Sequence, residues 1–182
     1  GFVGRQRELA VLDGLLGTAR LVTMTGPGGV GKTRIALRAA ARGRGQFADG
    51  VCLVELGDLH DPDLLPHTVA TCLGLPGQEA GSQADAIVDY LRGRQLLLIL
   101  DSCEHLIGAC AKLAAPVLRY ADQVTILATS RQPMNVPGER RHAFTAHVLD
   151  TLESTPGVVA AATTGVVPLS GSAWSNDVWL DG

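Results

Sequence analysis

The sequence predicts an α/β fold built on a parallel sheet, and three observations carry that expectation. Short, nearly uninterrupted apolar runs alternate with helical patterns along most of the chain. A glycine-rich loop, TGPGGVGKT, joins one of those runs to a helix. A later run, LLLILD, closes on an acid at Asp101.

The elements follow in order. Strands are expected at Arg20–Thr25, Val51–Leu56, Gln95–Leu100 and Val124–Ala128, each apolar enough to be covered on both faces. Thr33–Ala41 reads as the helix after the glycine loop. Asp61-Pro62-Asp63 starts another helix, with Asp61 as N-cap and Pro62 at the first helical position. Ser82 followed by Asp85 starts a third, running to about Arg92. Ala109–Tyr120 is a fourth, and Pro116 within it predicts a kink or an early break. The segment QPMNVPGERR after the last clear strand is loop-like.

Composition suits one globular domain with a smaller appendage: 182 residues, 46% hydrophobic and 18% charged. A net charge of -3 gives no basic face for nucleic acid. Arg34, Arg38, Arg42 and Arg44 cluster, as on a solvated helix face. The four cysteines, Cys52, Cys72, Cys103 and Cys110, lack metal-ligand spacing, and buried reduced thiols are expected. No apolar run is long enough to span a bilayer, so a cytoplasmic setting is expected. The chain opens on Gly1 within a recognisable motif and is expected to be a piece of a longer protein.

The loop matches GxxxxGK[ST], with a strand before it and a helix after it. Small residues let the backbone N–H groups of Gly26, Pro27's neighbours Gly28 and Gly29, Val30 and Gly31 turn toward a phosphate, and the next helix adds its N-terminal dipole. Lys32 would reach the β- and γ-phosphates, Thr33 would offer its hydroxyl to Mg²⁺, and Arg34 follows as a further binding candidate. Asp101 is the matching candidate for the Mg²⁺ shell. Its neighbour is Ser102 rather than a second acid, which leaves Glu104 as a candidate base or water-orienting residue. A helix-start carboxylate favoured by the dipole is the other reading of Glu104, and His105 reads as a satisfied polar residue. In ILATSR, Arg131 at the strand tip is a candidate γ-phosphate sensor or else an exposed loop arginine. These features predict a P-loop NTPase that uses a nucleotide with Mg²⁺.

FVGRQREL, TGPGGVGKTR, FADGVCLVEL, LLLILDSCEHL and ILATSRQPMNVPGER, taken together, resemble the nucleotide-binding domain of STAND-class bacterial regulators of the AfsR/SARP and LuxR types, relatives of NB-ARC and AAA+ domains. The resemblance covers about residues 1–141. It implies a sheet of about five strands in the order 5-1-4-3-2, and it assigns Phe2, Val3, Gly4 and Arg5 to the base side of the nucleotide. It further implies adenine as the base and hence an ATP/ADP-dependent switch with slow hydrolysis, ATP-dependent self-association, and a helical lid, sensor and output domains in a longer parent. No GLPLA-like lid motif and no helix-turn-helix occurs in the sequence, so no DNA contact is expected from this chain.

After GERR the resemblance calls for a short strand and helices, whereas the sequence turns rich in Ser, Thr, Gly and Pro. Ala143 to Gly182 weakly resembles the extracytoplasmic core domain of MacB/FtsX-type permeases. Residues 142–182 are therefore expected to be an irregular extension, either a fused unrelated segment or a divergent family tail. A transport component is the alternative function. Its echo of a transporter signature, Leu169–Ser172, falls after Asp101 rather than before it. A P-loop kinase would need an arginine-rich lid, and a purely structural scaffold would not need Lys32, Thr33 and Asp101 together.

Overall fold

A computed structural model describes residues 5–76 and 80–144. Five strands form one parallel sheet: β1 (Leu21–Thr25), β2 (Gly50–Glu55), β3 (Leu96–Asp101), β4 (Thr125–Ser130) and β5 (Arg140–Ala143), in the order β2-β3-β4-β1-β5. This is the expected order read from the other edge. β4 separates the strand that leads into the glycine loop from the strand that ends in Asp101.

Alternation along each strand sorts the core into two layers. Leu96, Leu98, Leu100, Ile126 and Ala128 pack on one face, with α3 (Leu65–Cys72), α4 (Ala80–Leu91) and α5 (Ile107–Tyr120). Leu97, Ile99, Leu127, Val22 and Met24 pack on the other, with α1 (Gln6–Leu16) and α2 (Lys32–Arg42). All six residues of β3 and all six of β4 are buried, which explains why these strands read as continuous apolar runs. Burying one such leucine stabilises the fold by roughly 1.5–3 kcal/mol before entropy is counted.

Several local details differ from the sequence expectations. α1 is an added helix, whose Leu9, Leu12 and Leu16 supply the buried stripe. Asp61 does accept from the Asp63 backbone N–H, but the turn it opens is a short 3-10 segment, Pro62–Leu64, ahead of α3. α4 begins at Ala80, before Ser82. α5 runs unbroken through Pro116 to Tyr120. Its last carbonyls are held by Arg20, which donates to Leu118 O at 2.6 Å and to Ala121 O.

Cys52 on β2 and Cys72 at the end of α3 form a disulfide, whereas reduced thiols were expected. The sequence separation of 20 carries no signal for this pairing; packing of α3 against β2 brings the two together. Cys103 and Cys110 are free and buried.

β5 continues the sheet where the sequence seemed to depart from strand and helix. It pairs in parallel with β1, and Phe144 beyond it is 1% exposed. Glu139 organises the preceding loop by accepting from the Met134 and Asn135 backbone N–H groups at 2.8 and 3.0 Å. Expectations for residues 145–182 lie outside the described residues.

Candidate nucleotide site

The carboxyl ends of β1, β3 and β4 bring the predicted phosphate machinery to one place, the usual location for ligands in open parallel sheets. β1 feeds the glycine loop, and α2 starts at Lys32 directly after Gly31. Gly31 caps that helix in the left-handed region at φ 87°, and Gly29 lies at φ 77°, conformations that favour glycine.

Lys32 is buried, and its ammonium donates to Gly26 O and Pro27 O, both at 2.8 Å. Burial holds its pKa below the usual 10.5; Glu104 and Asp101 act against that shift, and Arg131 acts with it. A phosphate at the loop would exchange the two carbonyl bonds for charge-assisted ones.

Thr33 donates to both carboxylate oxygens of Asp101, at 2.8 and 3.0 Å. Asp101 is itself buried at the end of β3. A hydroxyl and a carboxylate converging at the foot of a phosphate loop form an oxygen donor set that fits Mg²⁺. Thr129, fully enclosed on β4, donates its hydroxyl to Asp101 and accepts from the Ser102 N–H at 2.9 Å. Ser102 takes the left-handed conformation at φ 63°, which turns the chain sharply into the 3-10 segment Cys103–His105.

That turn carries Glu104 toward the cations. Glu104 Oε1 lies 3.6 Å from Arg131 Nε, and Glu104 Oε2 is buried without a hydrogen-bond partner. Arg131 reaches back across the loop: a Cβ at Gly28 would lie 3.4 Å from its Nη2. His105 pairs through Nε2 with Leu59 O at 2.6 Å.

On the opposite side, the Arg5 guanidinium lies 5.5 Å from the centre of the Phe144 ring. Arg5 Nη1 is buried without a hydrogen-bond partner and would be 3.8 Å from a Cβ on Gly31. Phe144 also closes on the loop, since a Cβ on Gly26 would come within 2.9 Å of Phe144 Cβ.

Of the sequence candidates, Arg5, Gly26, Gly28, Gly31, Lys32, Thr33, Asp101, Glu104 and Arg131 are thus gathered around one loop. Pro27 and Gly29 complete the loop, and Val30 packs against the second core layer. Arg34 is exposed on α2. Phe2, Val3 and Gly4 lie outside the described residues. Two contributors had no assigned role in the sequence. Thr129 was visible as a polar residue closing an apolar run; Phe144 carried no signal beyond being one of three phenylalanines.

Comparison with solved structures decides the fold. The chain superposes on Cdc6 from Pyrobaculum aerophilum with a TM-score of 0.59 at 16% identity, covering 78% of this chain and 45% of that one. It is also similar to a signal transduction ATPase with numerous domains and a tetratricopeptide repeat sensor from Pyrococcus horikoshii, with a TM-score of 0.56, 16% identity, and coverage of 78% and 23%. The fold is that of the P-loop NTPases. The ORC2 protein of Aeropyrum pernix, solved as ADPNP–ADP complexes, matches at a TM-score of 0.52 and 15% identity over 84% of this chain and 51% of that one.

No protein-family model matches the chain. Over 125 residues it is 42% identical to a proposed HTH-type transcriptional regulator of Mycobacterium tuberculosis (strain ATCC 25618 / H37Rv), a match covering 69% of this chain and 14% of the regulator. It is 40% identical over 138 residues to an uncharacterized protein of the same strain, covering 76% of this chain and 35% of that one. The chain thus spans a small part of the relatives it matches. No helix among the described residues is long and apolar enough to cross a membrane.

Proposed function

We propose that this chain is an ATP/ADP-binding switch domain with slow Mg²⁺-dependent hydrolysis, cut from a larger cytoplasmic regulator of transcription of the STAND class. The observation that carries the reading is the meeting of Thr33 with Asp101 beneath a glycine loop that also holds Lys32. The regulator names of its sequence relatives support the setting. On this reading residues 1–141 form the core of the nucleotide-binding domain, and the signal is sensed and delivered by segments outside it, through nucleotide-dependent self-association.

Lys32 binds phosphate oxygens, while Thr33 and Asp101 hold the metal. A Mg²⁺ ion held there would supply neutralisation of phosphate charge. Arg131 meets the γ-phosphate from the tip of β4. Glu104 orients the attacking water and takes its proton. Ser102 stands where a second acid would sharpen that task, and turnover is slow in consequence. Arg5, Val3 and Gly4 contact the base side.

The test is to purify the chain, identify the nucleotide that accompanies it, and follow single-turnover hydrolysis. Glu104→Gln retains Mg·ATP binding and slows hydrolysis. Unchanged hydrolysis in that variant removes Glu104 from the role of base.

A further inference from the structure

Glu104 and Arg131 belong to different elements, the turn after β3 and the tip of β4, and they meet over the glycine loop. Three features make this more than a surface ion pair. Arg131 lies against Gly28, so its guanidinium sits beside the loop that would hold phosphate. Glu104 is the more enclosed partner, at 28% side-chain exposure against 61% for Arg131, and its second oxygen is buried with no hydrogen-bond partner. The same carboxylate is the strongest charge acting on Lys32 against the effect of burial. Glu104 therefore stands among the cations that a terminal phosphate would also need.

We propose that Glu104 is a specificity-determining residue: it holds Arg131 in the nucleotide-free protein and competes with the γ-phosphate for it, thereby setting the ATP-over-ADP preference of the site. The proposal rests on the nucleotide-binding reading and names the regulation of that same site. A diphosphate does not extend to the rim, so it leaves the Glu104–Arg131 pair intact. A triphosphate draws Arg131 away, breaks the pair, and leaves the Glu104 carboxylate facing another anion. Binding of ATP thus meets an opposing cost that ADP does not. The same exchange frees Glu104 Oε1 from Arg131 only when a γ-phosphate is present, which ties the availability of the carboxylate to the correct nucleotide.

Simple repulsion between Glu104 and the γ-phosphate would also disfavour ATP, so the experiment must separate the two. Dissociation constants for Mg·ADP and for Mg·ADPNP, a non-hydrolysable triphosphate, are measured by calorimetry on the parent, Glu104→Gln, Arg131→Gln and the double variant. In the parent background, Glu104→Gln tightens Mg·ADPNP about two- to fivefold and leaves Mg·ADP unchanged, the range expected of a half-exposed ion pair. In the Arg131→Gln background the same substitution yields a smaller gain, because no pair remains to be broken. Equal gains in both backgrounds mean repulsion alone and overturn the proposal. So does a Glu104→Gln variant that binds Mg·ADPNP no more tightly than the parent. If the parent binds neither nucleotide, the nucleotide-binding reading itself fails, and the competition falls with it. Circular dichroism of each variant confirms that the substitutions leave the fold intact.

Discussion

The Thr33 hydroxyl bonds to both carboxylate oxygens of Asp101, at 2.8 and 3.0 Å, and so ties the start of α2 to the end of β3. The two residues lie 68 positions apart in the sequence, and β4 stands between β1, which leads into the loop, and β3, which ends in Asp101. The contact joins the phosphate loop to the acid through the same atoms that would hold a metal. Asp101→Asn keeps an acceptor for Thr33 but removes the charge. The expected result is a fold weakened by about 1 kcal/mol, with nucleotide affinity no longer improved by Mg²⁺. Titrations with Mg²⁺ and with EDTA check this, and a preserved Mg²⁺ effect would move the metal site elsewhere.

Thr129 supports the same carboxylate from behind. Replacing it with the isosteric valine takes a donor from Asp101 and an acceptor from the Ser102 N–H in an enclosed site. Thr129→Val should cost about 1–3 kcal/mol in urea denaturation. Thr129→Ser, which keeps the hydroxyl, should recover most of that loss. Equal effects from both substitutions would point to packing rather than hydrogen bonding.

The β5 segment braces the loop through Phe144. A Cβ on Gly26 would come within 2.9 Å of Phe144 Cβ, closer than real side chains approach. Gly26→Ala should destabilise the protein by about 1–3 kcal/mol, and Phe144→Ala by about 3–5 kcal/mol. Phe144→Ala keeps the Cβ that a side chain at position 26 would meet, so it leaves that clash in place and the two costs should add. A combined cost well short of the sum in chemical denaturation would show that the Phe144 ring, rather than its Cβ, limits position 26.

Much of this site could be read in the sequence because its chemistry depends on local pattern. GPGGVGKT has a fixed spacing, and LLLILD and ILATSR end their buried runs on the residues that the sheet presents at one edge. The sheet order came from the family resemblance and agrees with the structure. The Glu104–Arg131 pairing was not legible, since it depends on a sharp turn at Ser102 that no propensity favours in a serine. Phe144 escaped notice for a different reason: RRHA is a short, polar edge strand stabilised by its neighbour β1 rather than by its own pattern. Pro116 does not end α5, which continues to Tyr120, and Arg20 bonds the carbonyls of Leu118 and Ala121 beyond the proline.

Lys32 gives the site a pH dependence whose sign follows from burial. Its pKa in the folded protein lies below the usual 10.5, so the folded state holds fewer protons than the unfolded chain in the window between the two values. The empty protein therefore gains stability as pH rises through that window. Phosphate binding needs the ammonium, so affinity for Mg·ADP should fall as pH rises through the lowered pKa, before an ordinary lysine would titrate. Lys32→Arg, which stays charged, should lack this alkaline loss. A matching loss in Lys32→Arg would assign the titration to another group.

On the proposed reading, the loop from Gly26 to Thr33 binds nucleotide through Lys32. Its most direct test is calorimetric titration of the purified, nucleotide-stripped chain and of Lys32→Ala with Mg·ATP. The parent should bind one nucleotide per chain, and Lys32→Ala should show no detectable binding while remaining folded by circular dichroism. Binding by Lys32→Ala as tight as that of the parent would contradict the account.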